Sequence, residues 1–565
     1  MSFTTAVTWL VGLGVLFVAV KPVGGYLARV FTAQPTVLDR VWGRPERWLF
    51  RVSGVDPNYD MSAWEFAAAL VVTNVVLLAA VYVLLRLQVS LPFNPQHFPD
   101  VRSSIALNTA VSFATNTNWQ AYAGEHTLSN FSQFAALGFA QFIAPASGVA
   151  AGVAFVRALS GRKLGNFFVD LTRACTRILL PLAVLVTLVL VWQGVPETLA
   201  GYAHAHLITG GRQIIPRGPI ASFDAIAHLG QNGGGFTHAN SANPLENPTA
   251  VSNLLYAIVM GLLPVGLFGF FGIMTGRMRT AWTLTAVAGV LFLGMLVLYY
   301  VPEAAGNPVI NSLGLHGTAN WIGQELRFGT GGSALFTTSS MAFSTGSVAT
   351  AQDSLLPLAS LGSFFGMFVN MVFGGKGVGL LNMMMFVILT VFLIGLMVGR
   401  TPEFLGKKIE TREVSLALLA FLVHPFLILG GTALAVYLPA ARHGVTNAGA
   451  HGLSEILYAF TSAAANNGSA FAGLHAALPF YTAAISMVML IGRYVPLVAM
   501  LLLGESLLRK RTVPETVGTL RTDGVLFGGV LLTSVIIVNA LAFFPVIALG
   551  PLAEHYLLMA HHLFS

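Results

Sequence analysis

Apolar and polar positions alternate along this chain on a long scale. Runs of about 20 apolar residues, enough to cross a bilayer as helix, are separated by short polar segments. The pattern predicts spans near residues 3–30, 64–87, 131–156, 178–193, 250–273, 282–301, 355–398, 414–438, 481–508 and 525–549. The seventh run is too long for one simple helix, and Gly374-Gly375-Lys376-Gly377-Val378-Gly379 interrupts it.

Four shorter apolar runs, 104–114, 220–230, 333–343 and 453–465, cannot cross a bilayer. Each leads into a small polar loop. The first is Thr115-Asn116-Thr117-Asn118-Trp119-Gln120 and the second Gln231-Asn232-Gly233-Gly234-Gly235-Phe236. The third is Ser344-Thr345-Gly346-Ser347-Val348 and the fourth Asn466-Asn467-Gly468-Ser469-Ala470-Phe471. A span then follows, so the chain predicts membrane helix, re-entrant helix, loop, membrane helix, four times over. Irregular backbone at membrane depth is tolerated only inside protein or along a watery path. Loops aimed at one axis offer carbonyl oxygens that replace an ion's hydration shell, and glycine permits the backbone angles this requires.

The expected fold is therefore an all-α polytopic membrane protein. About ten transmembrane helices form four pseudo-repeated units around a pseudo-fourfold axis, with one flanking helix at each end. Residues 1–62 hold the first span and a basic loop (Arg40, Arg44, Arg47, Arg51). Residues 63–157, 172–276, 280–400 and 413–510 are the pore repeats, the third with a broken second helix. Residues 522–565 are the last span and a tail.

Composition agrees. Of 565 residues 55% are hydrophobic and 9% charged, against about 25% charged in soluble domains. The net charge is +7, and the lysines and arginines cluster after odd-numbered spans. Cytoplasmic loops carry such clusters, so both termini and all four loop mouths are expected outside, and nucleic acid is not an expected partner. Membrane lipid is. A single cysteine, Cys175, excludes an internal disulfide framework and a thiol metal site.

No Asp or Glu lies in the four loops. Uncharged carbonyl and hydroxyl oxygens suit a large, weakly hydrated monovalent cation, so potassium is the expected ion and no transition metal or covalent cofactor is. The candidate filter residues are Thr115, Asn116, Thr117, Asn118, Gln231, Asn232, Gly233, Gly234, Thr345, Gly346, Ser347, Asn466, Asn467 and Gly468. Gly234, Gly346 and Gly468 lead among the glycines, with close helix packing as the other use of such residues. The break at Gly374 and Gly375 is expected beneath the loops. Lys376 there is read either as a positive barrier to a cation or as a snorkelling lysine.

Arg400 opens the next basic cluster and, with Gly374, Gly375, Lys376 and Arg493, is a candidate for gating or coupling. Arg493, deep in an apolar run, is expected to face a tunnel, a partner or a structural pair. Asp224 and Asp353 either gather cations at the mouth or cap helices. His204, His206, His238, His561 and His562 lack metal-site spacing. No phosphate loop is present, and no nucleophile–base pair suggests an intramembrane enzyme.

Taken together, the four loops and Gly399-Arg400-Thr401-Pro402-Glu403 resemble the potassium-binding subunits of the bacterial Kdp potassium-transporting ATPases, over essentially the whole chain. The resemblance implies kinship with potassium channels and the Trk/Ktr transporters, and residence in the bacterial cytoplasmic membrane. It implies potassium binding from the outer side and a tunnel to a partner that hydrolyses ATP, so that this chain is not itself catalytic. The implied partners are a P-type ATPase catalytic subunit, a single-span accessory subunit and a very small membrane peptide. A stand-alone potassium channel or secondary transporter of the same superfamily is the other reading.

Overall fold

The computed structural model describes residues 2–315, 319–375, 377–399, 401–513 and 521–560. Ten of its helices are long and apolar enough to cross a membrane. Helix α1 is Phe3–Phe31. The segment expected as a basic loop is instead a helix, α2, Asp39–Val52. The first unit comprises α3 (Ala63–Arg86), the re-entrant α4 (Ser103–Ala114) and α5 (Ser132–Leu159). Ser62 and Glu65 cap α3 reciprocally, satisfying two of the amide groups that a helix start leaves unpaired.

The second unit begins with α6 (Phe167–Trp192), about eleven residues ahead of the expected span, so Arg173 and Arg177 lie within helix. Its outer segment forms a hairpin of β1 (Ala203–His206) and β2 (Arg212–Ile215). The re-entrant α7 (Ile220–Leu229) and α8 (Ala250–Thr275) complete it. The third unit has α9 (Met278–Ala305), the re-entrant α10 (Gly329–Ala342), and the interrupted pair α11 (Pro357–Val369) and α12 (Val378–Val398). A short hairpin follows, β3 (Glu403–Phe404) with β4 (Lys407–Lys408). The fourth unit has α13 (Thr411–Tyr437), the re-entrant α14 (Gly449–Ala464) and α15 (Pro479–Leu508). The last helix, α16, is Val525–Ile547, and helical structure continues to Met559 where a tail was expected.

At thirteen residues α11 cannot cross a bilayer by itself. It does not run back along α12 as a hairpin partner would, among the described residues. Helix α12, at 21 residues, is long enough to cross alone, and α11 precedes it as a shorter apolar helix.

The flanking helices are held by shape. A Cβ on Gly24 of α1 would meet the Gly269 carbonyl carbon and the Phe270 nitrogen of α8 at 2.5 Å, so two backbones touch there, the use small residues serve between membrane helices. At the other end, Phe543 of α16 stacks on Phe368 of α11, centroids 3.9 Å apart and planes 7° from parallel. On the side carrying the basic clusters, Arg157 meets Asp170 at 2.6 and 2.8 Å. It also donates to the Phe31 carbonyl at 2.7 Å, tying α1 to the first two units.

Candidate ion-binding site

All four re-entrant helices end in the same way. The amides of Thr117, Asn232, Thr345 and Asn467 donate to the carbonyls of Ser112 (2.8 Å), Ala227 (2.8 Å), Ser340 (2.7 Å) and Ser462 (2.9 Å). The residue before each is left-handed: Asn116 (φ 61°), Gln231 (51°), Ser344 (51°) and Asn466 (51°). This is the left-handed turn that commonly closes a helix, and glycine is its usual occupant. An L side chain there costs roughly 1–2 kcal/mol, and here the side chains are used.

Asn116 Nδ2 donates to the carbonyl of Gln231 at 3.0 Å, joining loop one to loop two. Ser344 Oγ donates to the Ala465 carbonyl at 2.8 Å, joining three to four. Asn466 Nδ2 donates to Thr117 Oγ1 at 3.0 Å, joining four to one. Gln231 instead donates to the Met260 carbonyl in α8. Two residues on from each turn the backbone is again left-handed, at Asn118 (φ 54°), Gly233 (70°), Gly346 (82°) and Gly468 (100°).

The glycines at that second position show how the loops abut. A Cβ on Gly233 would occupy the place of the Thr345 carbonyl oxygen, and one on Gly346 that of the Asn467 oxygen. One on Gly468 would displace the Thr117 oxygen. Loop one meets loop two through Asn118 Nδ2 and the Gly233 carbonyl, 2.8 Å apart. The order one, two, three, four and back to one is a closed ring. The equivalent residue in loop two is Gly233, which corrects the emphasis on Gly234. Gly234 lies one step outward, beside Gln120.

Above the ring is a cavity of about 720 Å³, lined in part by Asn118, Gln120, Gly234, Gly346, Gly468 and His238. Asn118 Oδ1, Asn232 Oδ1 and Thr345 Oγ1 are buried oxygens without a hydrogen-bond partner among the described residues. Below the ring lies the break between α11 and α12. A Cβ on Gly375 would touch the Phe343 carbonyl (3.3 Å), Gln231 Oε1 (3.7 Å) and Ser344 Cβ (3.8 Å). Gly377, φ 85°, packs against the Gly148 carbonyl of α5. Gly374, φ 43°, is crowded against Gly379. Asn370 Nδ2 donates to the Ala465 carbonyl at 3.4 Å. A smaller cavity runs beneath loop four, between Asn370, Asn382, His424, Asn466 and Gly492.

Other expectations change. Thr115 caps α4, its hydroxyl donating to the Val111 carbonyl at 2.9 Å. The Ser347 hydroxyl turns away from the ring to His228 Nε2 and Ser241 Oγ, each at 3.0 Å. Its carbonyl accepts from Ser340 Oγ at 2.6 Å. Asp224 is not at the mouth: it is buried within α7, its Oδ2 3.4 Å from the Tyr256 hydroxyl. Arg493 is 4% exposed, and no hydrogen bond or ion pair joins it to another described residue. Lys376, Arg400, His561 and His562 lie outside the described residues.

His228 escaped the sequence reading. Its Nδ1 bonds the Asp224 carbonyl at 2.7 Å, which leaves Nε2 to accept from Ser347. Its ring stacks on Tyr256, centroids 3.8 Å apart. The available signal was a histidine three residues before a polar loop, in an apolar run. Glu246, equally unforeseen, is buried behind loop two and accepts from the Thr237 amide at 2.6 Å. Burial pushes its carboxyl up to about 7, against the opposing hydrogen bonds from Thr237.

These features define a multi-pass helical membrane protein with four re-entrant loops around one axis. The fold is shared with the potassium transporter TrkH from Vibrio parahaemolyticus, at TM-score 0.50 and 14% identity over 89% of this chain and 98% of that one. Residues 10–556 match the family described as potassium-transporting ATPase A subunit, and the chain belongs to that family.

Several relatives are each called potassium-transporting ATPase potassium-binding subunit. That of Alicyclobacillus acidocaldarius is 49% identical over 94% of this chain and 95% of its own length. That of Methylobacterium nodulans is 46% identical over 96% and 95%. That of Rhizobium rhizogenes is 44% identical over the full length of both.

Proposed function

We propose that the four loops form a potassium-selectivity filter and that this chain is the ion-binding, non-catalytic subunit of an ATP-driven potassium uptake complex. The observation that carries the reading is the closed ring, in which the carbonyls of Thr117, Thr345 and Asn467 each lie against the glycine of the neighbouring loop. Uncharged oxygens at fixed spacing replace the water around a desolvated cation. The helices α4, α7, α10 and α14 turn their partly negative ends toward the same point, which favours a cation there.

The cavity above the ring is the entrance, opening outward from the bacterial cytoplasmic membrane with both termini on that side. The glycine-rich break beneath Gln231 and Phe343 obstructs a straight exit. The ion leaves sideways beneath loop four toward a P-type ATPase subunit, which hydrolyses ATP. A single-span accessory subunit and a very small membrane peptide complete the complex. Arg493, buried without an ion-pair partner among the described residues, adds a positive charge that confines the cation's route.

Potassium-stimulated ATP hydrolysis by the assembled complex, with Gly346→Ala in this chain alone, tests the reading. It predicts that half-stimulation moves to higher potassium by at least about tenfold, the cost of roughly 1.4 kcal/mol in ion binding. Unchanged potassium dependence, or single-channel current from the wild-type chain alone, would contradict it.

A further inference from the structure

We propose that helix α2 (Asp39–Val52) is a binding site for anionic phospholipid headgroups at the edge of the membrane. At 3.6 residues per turn its side chains fall into three sectors. Arg40, Arg44, Arg47 and Arg51 lie within about 60° of one another, and all four are exposed. Beside them runs an apolar row, Val41, Trp48 and Val52, exposed by 60%, 64% and 66%. The remaining sector, Gly43, Glu46 and Phe50, is buried against the rest of the protein.

Both acids of α2 are paired with Arg177 of α6, Glu46 buried and Asp39 partly exposed. Glu46 accepts from Arg177 Nε at 2.8 Å and from Thr176 Oγ1 at 2.6 Å, and Asp39 accepts from Arg177 Nη1. The four exposed arginines form no ion pair with another described residue. The anchor also fixes depth. The Arg177 carbonyl accepts from the Tyr26 hydroxyl at 2.8 Å, so α2 lies beside the end of α1 and the first half of α6. That is where hydrocarbon gives way to headgroups.

A helix with an apolar row next to a basic row belongs in that interface, with tryptophan at its preferred depth. Basic side chains there are attracted to anionic lipid. A helix facing only water has no use for the row at Trp48. A partner subunit could cover the apolar row, but it would not by itself account for four adjacent arginines whose counter-charges are missing from the described residues.

The test uses the full chain in phosphatidylcholine vesicles with a minor share of phosphatidylglycerol. Spin-labelled versions of the two lipids report the preference for the anionic one. The wild type is expected to prefer phosphatidylglycerol. The combined variant Arg40→Gln, Arg44→Gln, Arg47→Gln and Arg51→Gln is expected to lower that preference by at least about threefold, and raised salt to do the same. In otherwise wild-type protein within the assembled complex, a photoreactive residue at position 48 is expected to capture phospholipid. An unchanged lipid preference, or capture of a polypeptide at position 48, would overturn the proposal. Potassium selectivity is a separate readout, so neither result bears on the filter.

Discussion

Asn466 donates from Nδ2 to the hydroxyl of Thr117 at 3.0 Å, and with that bond the last of the four polar loops closes onto the first. The two residues are 349 positions apart. The same Asn466 side chain also reaches the Met489 carbonyl at 3.1 Å while its backbone stays left-handed. Replacement therefore separates two effects. Asn466→Ala keeps the backbone strain and loses both bonds, worth about 0.5–1.5 kcal/mol each. Asn466→Gly loses the bonds but relieves about 1 kcal/mol of strain. The glycine variant should be the more stable of the two in thermal denaturation of the purified protein. An alanine variant as stable as the glycine variant would show that the left-handed backbone at this position carries no such strain.

The register of loop two gives a second prediction. A Cβ at Gly233 runs into the Thr345 carbonyl, a backbone atom, whereas one at Gly234 first meets the end of the Gln120 side chain at 2.8 Å. Gly233→Ala should weaken potassium binding by at least about tenfold, and Gly234→Ala by clearly less, since a side chain yields more easily than backbone. Isothermal titration of both variants with potassium decides the order. The reverse order would restore Gly234 to the equivalent position.

Ser347 and Thr345 divide by where their hydroxyls point. The Ser347 hydroxyl is spent on His228 and Ser241, while Thr345 Oγ1 is buried without a partner among the described residues. Ser347→Ala should lower stability by about 1–3 kcal/mol through its orphaned neighbours and leave potassium-over-sodium selectivity near wild type. A large selectivity loss in Ser347→Ala, measured by sodium competition, would place its hydroxyl in the filter after all.

Glu246 supplies a pH dependence. Burial raises its carboxyl from 4.5 to about 7, so the fold favours the protonated form. Its contribution to stability is fully present below pH 4.5 and is lost as pH rises through about 7. The melting temperature should fall between pH 5 and 8 by more in the wild type than in Glu246→Gln, whose side chain cannot ionise. Equal pH profiles for the two proteins would remove Glu246 as the cause.

Most of the architecture was legible because a bilayer imposes a length on apolar runs. The spans ending near Val30 and Leu87 differ from the observed helix ends by one residue. The loops were legible because polar residues at membrane depth need a reason. Helix α2 was not, since its three-sector pattern reads as a charged loop when only its arginines are counted. The start of α6 was missed because Arg173 and Arg177 read as part of a basic cytoplasmic stretch with Arg157, Arg162 and Lys163, whereas Arg177 is neutralised by Glu46 and Arg157 by Asp170.

Within the site, the four polar loops were visible but their register was not. Gly233, Gly234 and Gly235 are indistinguishable until the turn at Gln231 is seen. His228 was hidden because its partner Ser347 is 119 positions away in the sequence.

The central claim is that oxygens from four unlike loops surround one desolvated potassium ion. It is tested most directly by locating a heavy potassium substitute, thallium or rubidium, from its anomalous scattering in crystals of the complex. The account predicts a peak inside the ring, within direct coordination distance of the Thr117, Thr345 and Asn467 carbonyls. A peak elsewhere with the ring unliganded, at ion concentrations that saturate transport, would contradict it.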